Sequence, residues 1–167
     1  MIFEQGHVLR GSGDDLANYY YLLAHAESWL PHNAIGNGVP SELAVRYGGD
    51  PNEKYVLCLR VLAMGDHNAV DIAQEVHAGV LASGGALLPD ALRKDRPVPH
   101  SRLIQGLYID DLLKLYHALG AECRRPGPDT DLVDKAHAAY EKANFHRSLR
   151  KSVAHELNFK ARKCAVA

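Results

Sequence analysis

Cysteine is scarce in this 167-residue chain, and its placement argues against two classes of protein. Cys58, Cys123 and Cys164 are odd in number, far apart and outside any C-x-x-C spacing. That pattern excludes a disulfide framework and a cysteine zinc site, and it reads as reduced intracellular thiols. The ten histidines do not replace them as metal ligands. They are scattered, His67 and His77 stand ten residues apart, and no H-x-x-x-H pair shares a helix face. There is no run of 18 apolar residues, so no membrane contact through a spanning helix is expected. No basic stretch followed by an apolar run opens the sequence, so no secretory leader is expected. Repeats and low-complexity tracts are missing too, which argues against a solenoid. A net charge of −1 gives no bulk attraction to a polyanion.

What is present is ordinary in amount and informative in order. Apolar residues make up 47% and charged residues 23%, and the length suits a single domain, 1–167, with a real core. Charge is unevenly spread. Between 142 and 163, Lys142, Arg147, Arg150, Lys151, Lys160, Arg162 and Lys163 face only Glu156, a local +6. Such a segment suits phosphate contact, and a solvated surface explains it equally well.

The Leu-, Ala- and Tyr-rich stretch 15–30 predicts a helix capped by Asp14 or Asp15. Residues 31–54, with four glycines and three prolines, predict a long loop with one helical turn over 41–45. Tyr55–Leu62 predicts a buried strand. Residues 68–81 predict an amphipathic helix with Val70, Ala73, Val76 or His77, and Val80 inward, ended by Gly84-Gly85. Residues 86–102 predict a loop. Leu103–Ile109 and Leu112–Tyr116 predict two strands joined at Asp110-Asp111. Residues 124–129 predict a linker, and 131–143 a last helix capped by Thr130 or Asp131. Together they predict an α+β fold: a small antiparallel sheet with helices packed on one face.

The chemistry-bearing stretch is Tyr108-Ile109-Asp110-Asp111. Adjacent aspartates at a tight turn repel, by about 4 kcal/mol at 4 Å with an effective dielectric near 20. A hard divalent cation converts that cost into a site, because Mg²⁺ prefers carboxylate oxygens and substrate phosphates. A turn or a helix cap explains an isolated Asp-Asp just as simply.

Two further segments change the reading. Asp14-Asp15-Leu16-Ala17-Asn18-Tyr19-Tyr20-Tyr21 joins carboxylates to an aromatic cluster. Leu62-Ala63-Met64-Gly65-Asp66-His67-Asn68 runs through a glycine into a helix carrying Gln74, nine residues after Gly65. Taken in order, the three segments resemble the palm of retroelement reverse transcriptases. The resemblance covers about 10–160, and its spacings are 50 residues from Asp15 to Gly65 and 45 from Gly65 to Asp110.

The resemblance implies an RNA-directed DNA polymerase that transfers nucleotides to a primer 3′-hydroxyl, with Asp15, Asp110 and Asp111 holding two Mg²⁺ or Mn²⁺ ions alongside the bound nucleotide. It implies an RNA template, a DNA primer and a deoxynucleoside triphosphate as partners. Tyr20 would be the sugar gate that excludes a 2′-hydroxyl. Gly65 and Gln74 would flank the nucleotide, and Lys151 would match the lysine of a later motif.

The departures are specific. Ala63-Met64 replaces the Pro-Gln before the family's glycine, and Ala69-Val70 its Ser-Pro. Arg10-Gly11-Ser12-Gly13 is too polar and glycine-rich for a good central strand. Little chain flanks the motifs, so fingers and thumb are expected to be missing and the isolated chain to be weak as an enzyme. The competing expectations are a non-catalytic palm-fold remnant or binding module, and an unrelated helical interaction domain whose Asp-Asp is only a turn.

Overall fold

A computed structural model describes residues 6–157. Lys160, Arg162 and Lys163 of the basic segment, and Cys164, lie outside the described residues. The fold is α+β, with a four-stranded antiparallel sheet in the order β4-β5-β1-β6. Its strands are β1 (His7–Asp15), β4 (Leu103–Tyr108), β5 (Asp111–Leu119) and β6 (Val153–Leu157). The helices are α1 (Tyr19–Leu22), α2 (Ser41–Arg46), α3 (Ala69–Ser83) and α4 (Pro128–Lys142). The two-residue strands β2 (Ala34–Ile35) and β3 (Leu57–Cys58) form a separate pair.

The chain divides into two compact units. One comprises the residues up to Tyr19 and from Val70 onward, and the other comprises 20–69. The first holds the sheet. Alternation sorts its residues between two faces. Arg10, Ser12 and Asp14 of β1 share a face with Leu112, Lys114 and Tyr116 of β5, and helix α4 lies against it through Asp129 and His137. On β4 the same face carries Gln105, whose amide donates to the Ala86 carbonyl and accepts from the Leu88 amide just after α3. The opposite face carries Gly11, Gly13 and Asp15 with Asp111, Leu113 and Leu115. Helices α3 and α4 therefore cover one face, as expected.

Three expectations fail. The 15–30 helix is instead the end of β1, the single-turn α1 and a 3-10 turn over Glu27–Asn33. The polar run before Asp15, expected to make a poor central strand, is the interior strand β1. It succeeds because its buried polar side chains find partners, Arg10 on Asp129 and Asp14 on Lys114 and His137. The buried strand at Tyr55–Leu62 shrinks to β3, where Leu57 is 59% exposed.

The helix at 68–81 is real, but its inward stripe is Ala69, Ala73, His77 and Leu81, while Val70 and Val76 face outward. A four-residue repeat fits the 3.6-residue turn as well as the valine pattern does. The last helix starts earlier than the cap residues predicted. Gly127 precedes it, and the Gly127 amide donates to Thr130 Oγ1. The helical turn at 41–45 appears as α2, and the basic tail contributes β6.

Unit two is locally knit by the Leu62 amide donating to Leu23 O and the His25 amide to Arg60 O. In the first unit, α3 ends against α4. A Cβ on Gly84 would stand 2.5 Å from the Ala139 Cβ, so only glycine fits there. Gly79 on the same helix has nothing within 4 Å of such a Cβ. Gly84→Ala should therefore lower stability by about 1–3 kcal/mol through overpacking. Gly79→Ala should raise it by up to about 1 kcal/mol. Urea unfolding of both variants checks the pair, and equal shifts would refute the close approach.

Candidate functional site: a carboxylate pair at the sheet end

Register brings the predicted aspartates together. Asp15 on β1 lies directly opposite Asp111 on β5, and the Leu16 amide donates to the Asp110 carbonyl at 3.0 Å. Lys151 joins them, its Nζ 2.7 Å from Asp15 Oδ2. The turn Ser148–Lys151 carries it there, tied to β1 by the Ser148 amide on Asp15 O. The hydrogen bond to Asp15, and the charges of Asp15, Asp110 and Asp111, raise the Lys151 pKa.

The hairpin holding these aspartates is strained. Tyr108 pairs with Asp111, leaving Ile109 and Asp110 as the loop, and Ile109 has φ 55°. A β-branched residue in the left-handed region is uncommon and costs on the order of 1–3 kcal/mol. Two side chains of α3 grip it. Gln74 accepts from the Ile109 amide at 2.7 Å and donates to Leu107 O at 3.2 Å. His77 Nδ1 lies 2.7 Å from the Ile109 carbonyl, to which it donates, and its Nε2 lies 2.8 Å from the Tyr140 hydroxyl of α4. Both ends of the Gln74 amide are thus engaged in bracing the turn.

Beneath lies a polar network that sequence reasoning did not find. Asp14 turns to the opposite face from Asp15 and meets His137 Nε2 at 3.2 Å, Arg147 Nη1 at 3.3 Å and Lys114 Nζ at 3.6 Å. The lysine contact is an ion pair longer than a hydrogen bond. Burial alone would raise the Asp14 carboxyl. The His137 hydrogen bond and the charges of Lys114, His137 and Arg147 outweigh it and hold the pKa at about 2. Burial lowers Lys114 to about 8 against the pull of Asp14. Burial likewise lowers His77 to about 4, against its bond to the Ile109 backbone. Tyr140 is pushed upward by burial.

Farther along β1, Arg10 donates from Nε to Asp129 Oδ2 at 2.7 Å and from Nη1 to the Cys123 and Arg125 carbonyls. The only signal for these partners was a charged residue alternating with glycine or serine in β1.

The remaining expected site residues are Tyr20 and Gly65, both in the second unit. Tyr20 is half-buried and its carbonyl accepts from the Leu23 amide. Gly65 has φ 110° in the turn leading to α3, a conformation that favours glycine. Tyr19, its neighbour, is a packing residue in the first unit. It is 2% exposed, with its hydroxyl on Ala73 O and its ring edge-on to Phe145.

The site's fit to a divalent cation is mixed. Asp15, Asp110 and Asp111 offer hard carboxylate oxygens, the right chemistry for Mg²⁺ or Mn²⁺. Among the described residues, however, no three His, Cys, Asp or Glu side chains are grouped as ligands, and the Lys151 ammonium sits on Asp15. A cation entering here would displace Lys151 and draw further oxygens from a substrate. No helix among the described residues is long and apolar enough to cross a membrane. No protein-family model matches this sequence, and no curated protein matches it.

The His77 value fixes a pH dependence. Between 6.5 and about 4 the unfolded histidine takes up a proton that the folded one refuses. Stability therefore falls as pH is lowered through that window, by on the order of 3 kcal/mol. The Asp14 contribution is intact above about 3.8 and is lost as pH falls from there towards about 2. Urea midpoints from pH 7 to 4 should show the fall. His77→Gln should be less stable at pH 7 and flatten the slope, and an unaltered slope would assign the titration to another group.

Proposed function

We propose that this chain carries a polymerase-type carboxylate site on a palm-like sheet, that of an RNA-directed DNA polymerase. Its partners would be an RNA template, a DNA primer and a deoxynucleoside triphosphate. The observation that supports this best is register: Asp15 and Asp111, 96 positions apart in sequence, are cross-strand partners. Nucleotidyl transfer needs carboxylates from distant segments at one point. A turn-only role for Asp110-Asp111 gives no reason for a third aspartate opposite them.

In this reading Asp15 and Asp111, with Asp110 beside them, hold Mg²⁺ or Mn²⁺ together with substrate phosphates. When bound, such ions activate the primer 3′-oxygen and neutralise the triphosphate. The chain's own residues do the positioning. The β1–β5 register fixes the carboxylate spacing. Gln74 and His77 hold the hairpin from below. Lys151 keeps the carboxylates compensated until a phosphate arrives and then provides it with a cation. The roles of Tyr20 and Gly65 rest on the resemblance alone.

A second reading, a non-catalytic palm-fold remnant, draws support from the Lys151–Asp15 ion pair, which satisfies the site with no ligand. In either case the isolated chain should be a poor polymerase, since positioning primer and triphosphate is most of what phosphoryl transfer requires.

Primer extension on an RNA template with Mg²⁺, comparing the chain with Asp110→Asn, is the test. Slow extension that the variant abolishes is expected. If extension is below detection, Mg²⁺-dependent triphosphate binding that Asp15→Asn abolishes separates the polymerase-type site from the remnant. Equal signals from chain and variant, or binding indifferent to Mg²⁺, contradict the proposal.

A further inference from the structure

A cavity of about 420 Å³ opens between the start of α4 and the edge strand β6. Its walls include Arg10 of β1, Arg124, Arg125 and Thr130 of the connection into α4, and His155 and Leu157 of β6. The carboxylate site does not use it. Arg10 and Asp15 are five residues apart along β1, about 17 Å, and point to opposite faces.

The cavity is built to be positive. Arg10 is buried and already spent, with Nε and Nη2 on Asp129 and Nη1 on the Cys123 and Arg125 carbonyls. It neutralises Asp129 and fixes the loop at three points. Arg124 and Arg125 are held on that loop with exposed guanidinium groups, and among the described residues neither pairs with a carboxylate. Thr130 Oγ1 accepts from the Gly127 amide at 3.2 Å, which leaves its hydroxyl proton to donate. The His155 ring stands behind, Nδ1 3.4 Å from Asp129 Oδ2. No lining residue is acidic.

We infer that this cavity binds a phosphate group carried by a nucleotide or a polynucleotide. Two uncompensated guanidiniums and a hydroxyl match a tetrahedral dianion better than a carboxylate, because a phosphate has the oxygens and the charge to engage both guanidinium forks and the hydroxyl at once, whereas a carboxylate has two oxygens and one charge. The volume falls in the range of small-ligand pockets and exceeds what one phosphate fills. Pro126 and Leu157 add apolar wall that a sugar or base can cover. The inference stands independently of the carboxylate site.

The test is amide NMR on the full chain at constant ionic strength, with inorganic phosphate, thymidine 5′-monophosphate and a twelve-residue oligothymidylate lacking end phosphates as probes. Saturable shifts at residues 123–131 are expected. The double variant R124Q/R125Q should weaken binding about ten-fold or more, since it removes both charge-assisted hydrogen-bond donors to the phosphate. Lys94→Gln, an exposed lysine elsewhere on the chain, should leave it unchanged. Preference for the monophosphate identifies a free nucleotide, and preference for the oligomer identifies a strand backbone. Shifts confined to other residues, or equal affinity of R124Q/R125Q and the parent chain, overturn the inference. If the double variant does not fold, the parent's phosphate-specific shifts decide alone: chloride producing the same shifts also overturns it.

Discussion

Asp14 lies almost fully buried in an interior strand, and the surrounding fold brings Lys114, Arg147 and the His137 ring to it. A lone buried carboxylate would protonate or unfold the sheet. Here Lys114 comes from the neighbouring strand, His137 from α4 and Arg147 from the segment after it. Farther along the same strand, Arg10 and Asp129 repeat the arrangement with the signs reversed. These two pairings fasten α4 to the sheet from both ends of β1. Breaking one partner of such a pair is far more damaging than replacing both, because a charge is left buried alone.

The same arrangement fixes the open face. With Asp14 anchored downward, alternation turns Asp15 upward, and strand register sets it against Asp111. The segment that brings Arg147 to Asp14 also brings Lys151 to Asp15. Through His77 and Tyr140 the buried layer reaches the hairpin backbone and supports the strained Ile109. The proposed site is thus the upper surface of a buried polar layer, and its geometry depends on that layer staying charged and paired.

Much of this was legible in the sequence. The hairpin at Asp110-Asp111, helix α3 and the turn at 41–45 follow from apolar runs and turn residues acting locally. Bringing Asp15 together with Asp110 and Asp111 came from motif order, a non-local guess that local propensity could not supply, and the register that sets Asp15 against Asp111 is the structure's own. β1 was missed because its residues contradict strand propensity one by one. Arg10, Ser12 and Asp14 belong inside only once Asp129, His155 and His137 are there to meet them, at separations above 110 residues. The buried stripe of α3 was half wrong for a related reason. His77 goes inward because Tyr140 and Ile109 satisfy its ring, which a hydrophobicity pattern cannot register. Val56 and Leu57 looked like core and are exposed.

In the proposed function, Asp15, Asp110 and Asp111 act as one cation site when a triphosphate is present. Paramagnetic broadening by Mn²⁺, read on backbone amides with and without a deoxynucleoside triphosphate, tests it most directly. Little effect is expected without nucleotide, then broadening centred on Asp15, Asp110, Asp111 and the neighbouring Lys151 once nucleotide is added. Broadening centred elsewhere, or none at these residues with nucleotide present, would contradict it.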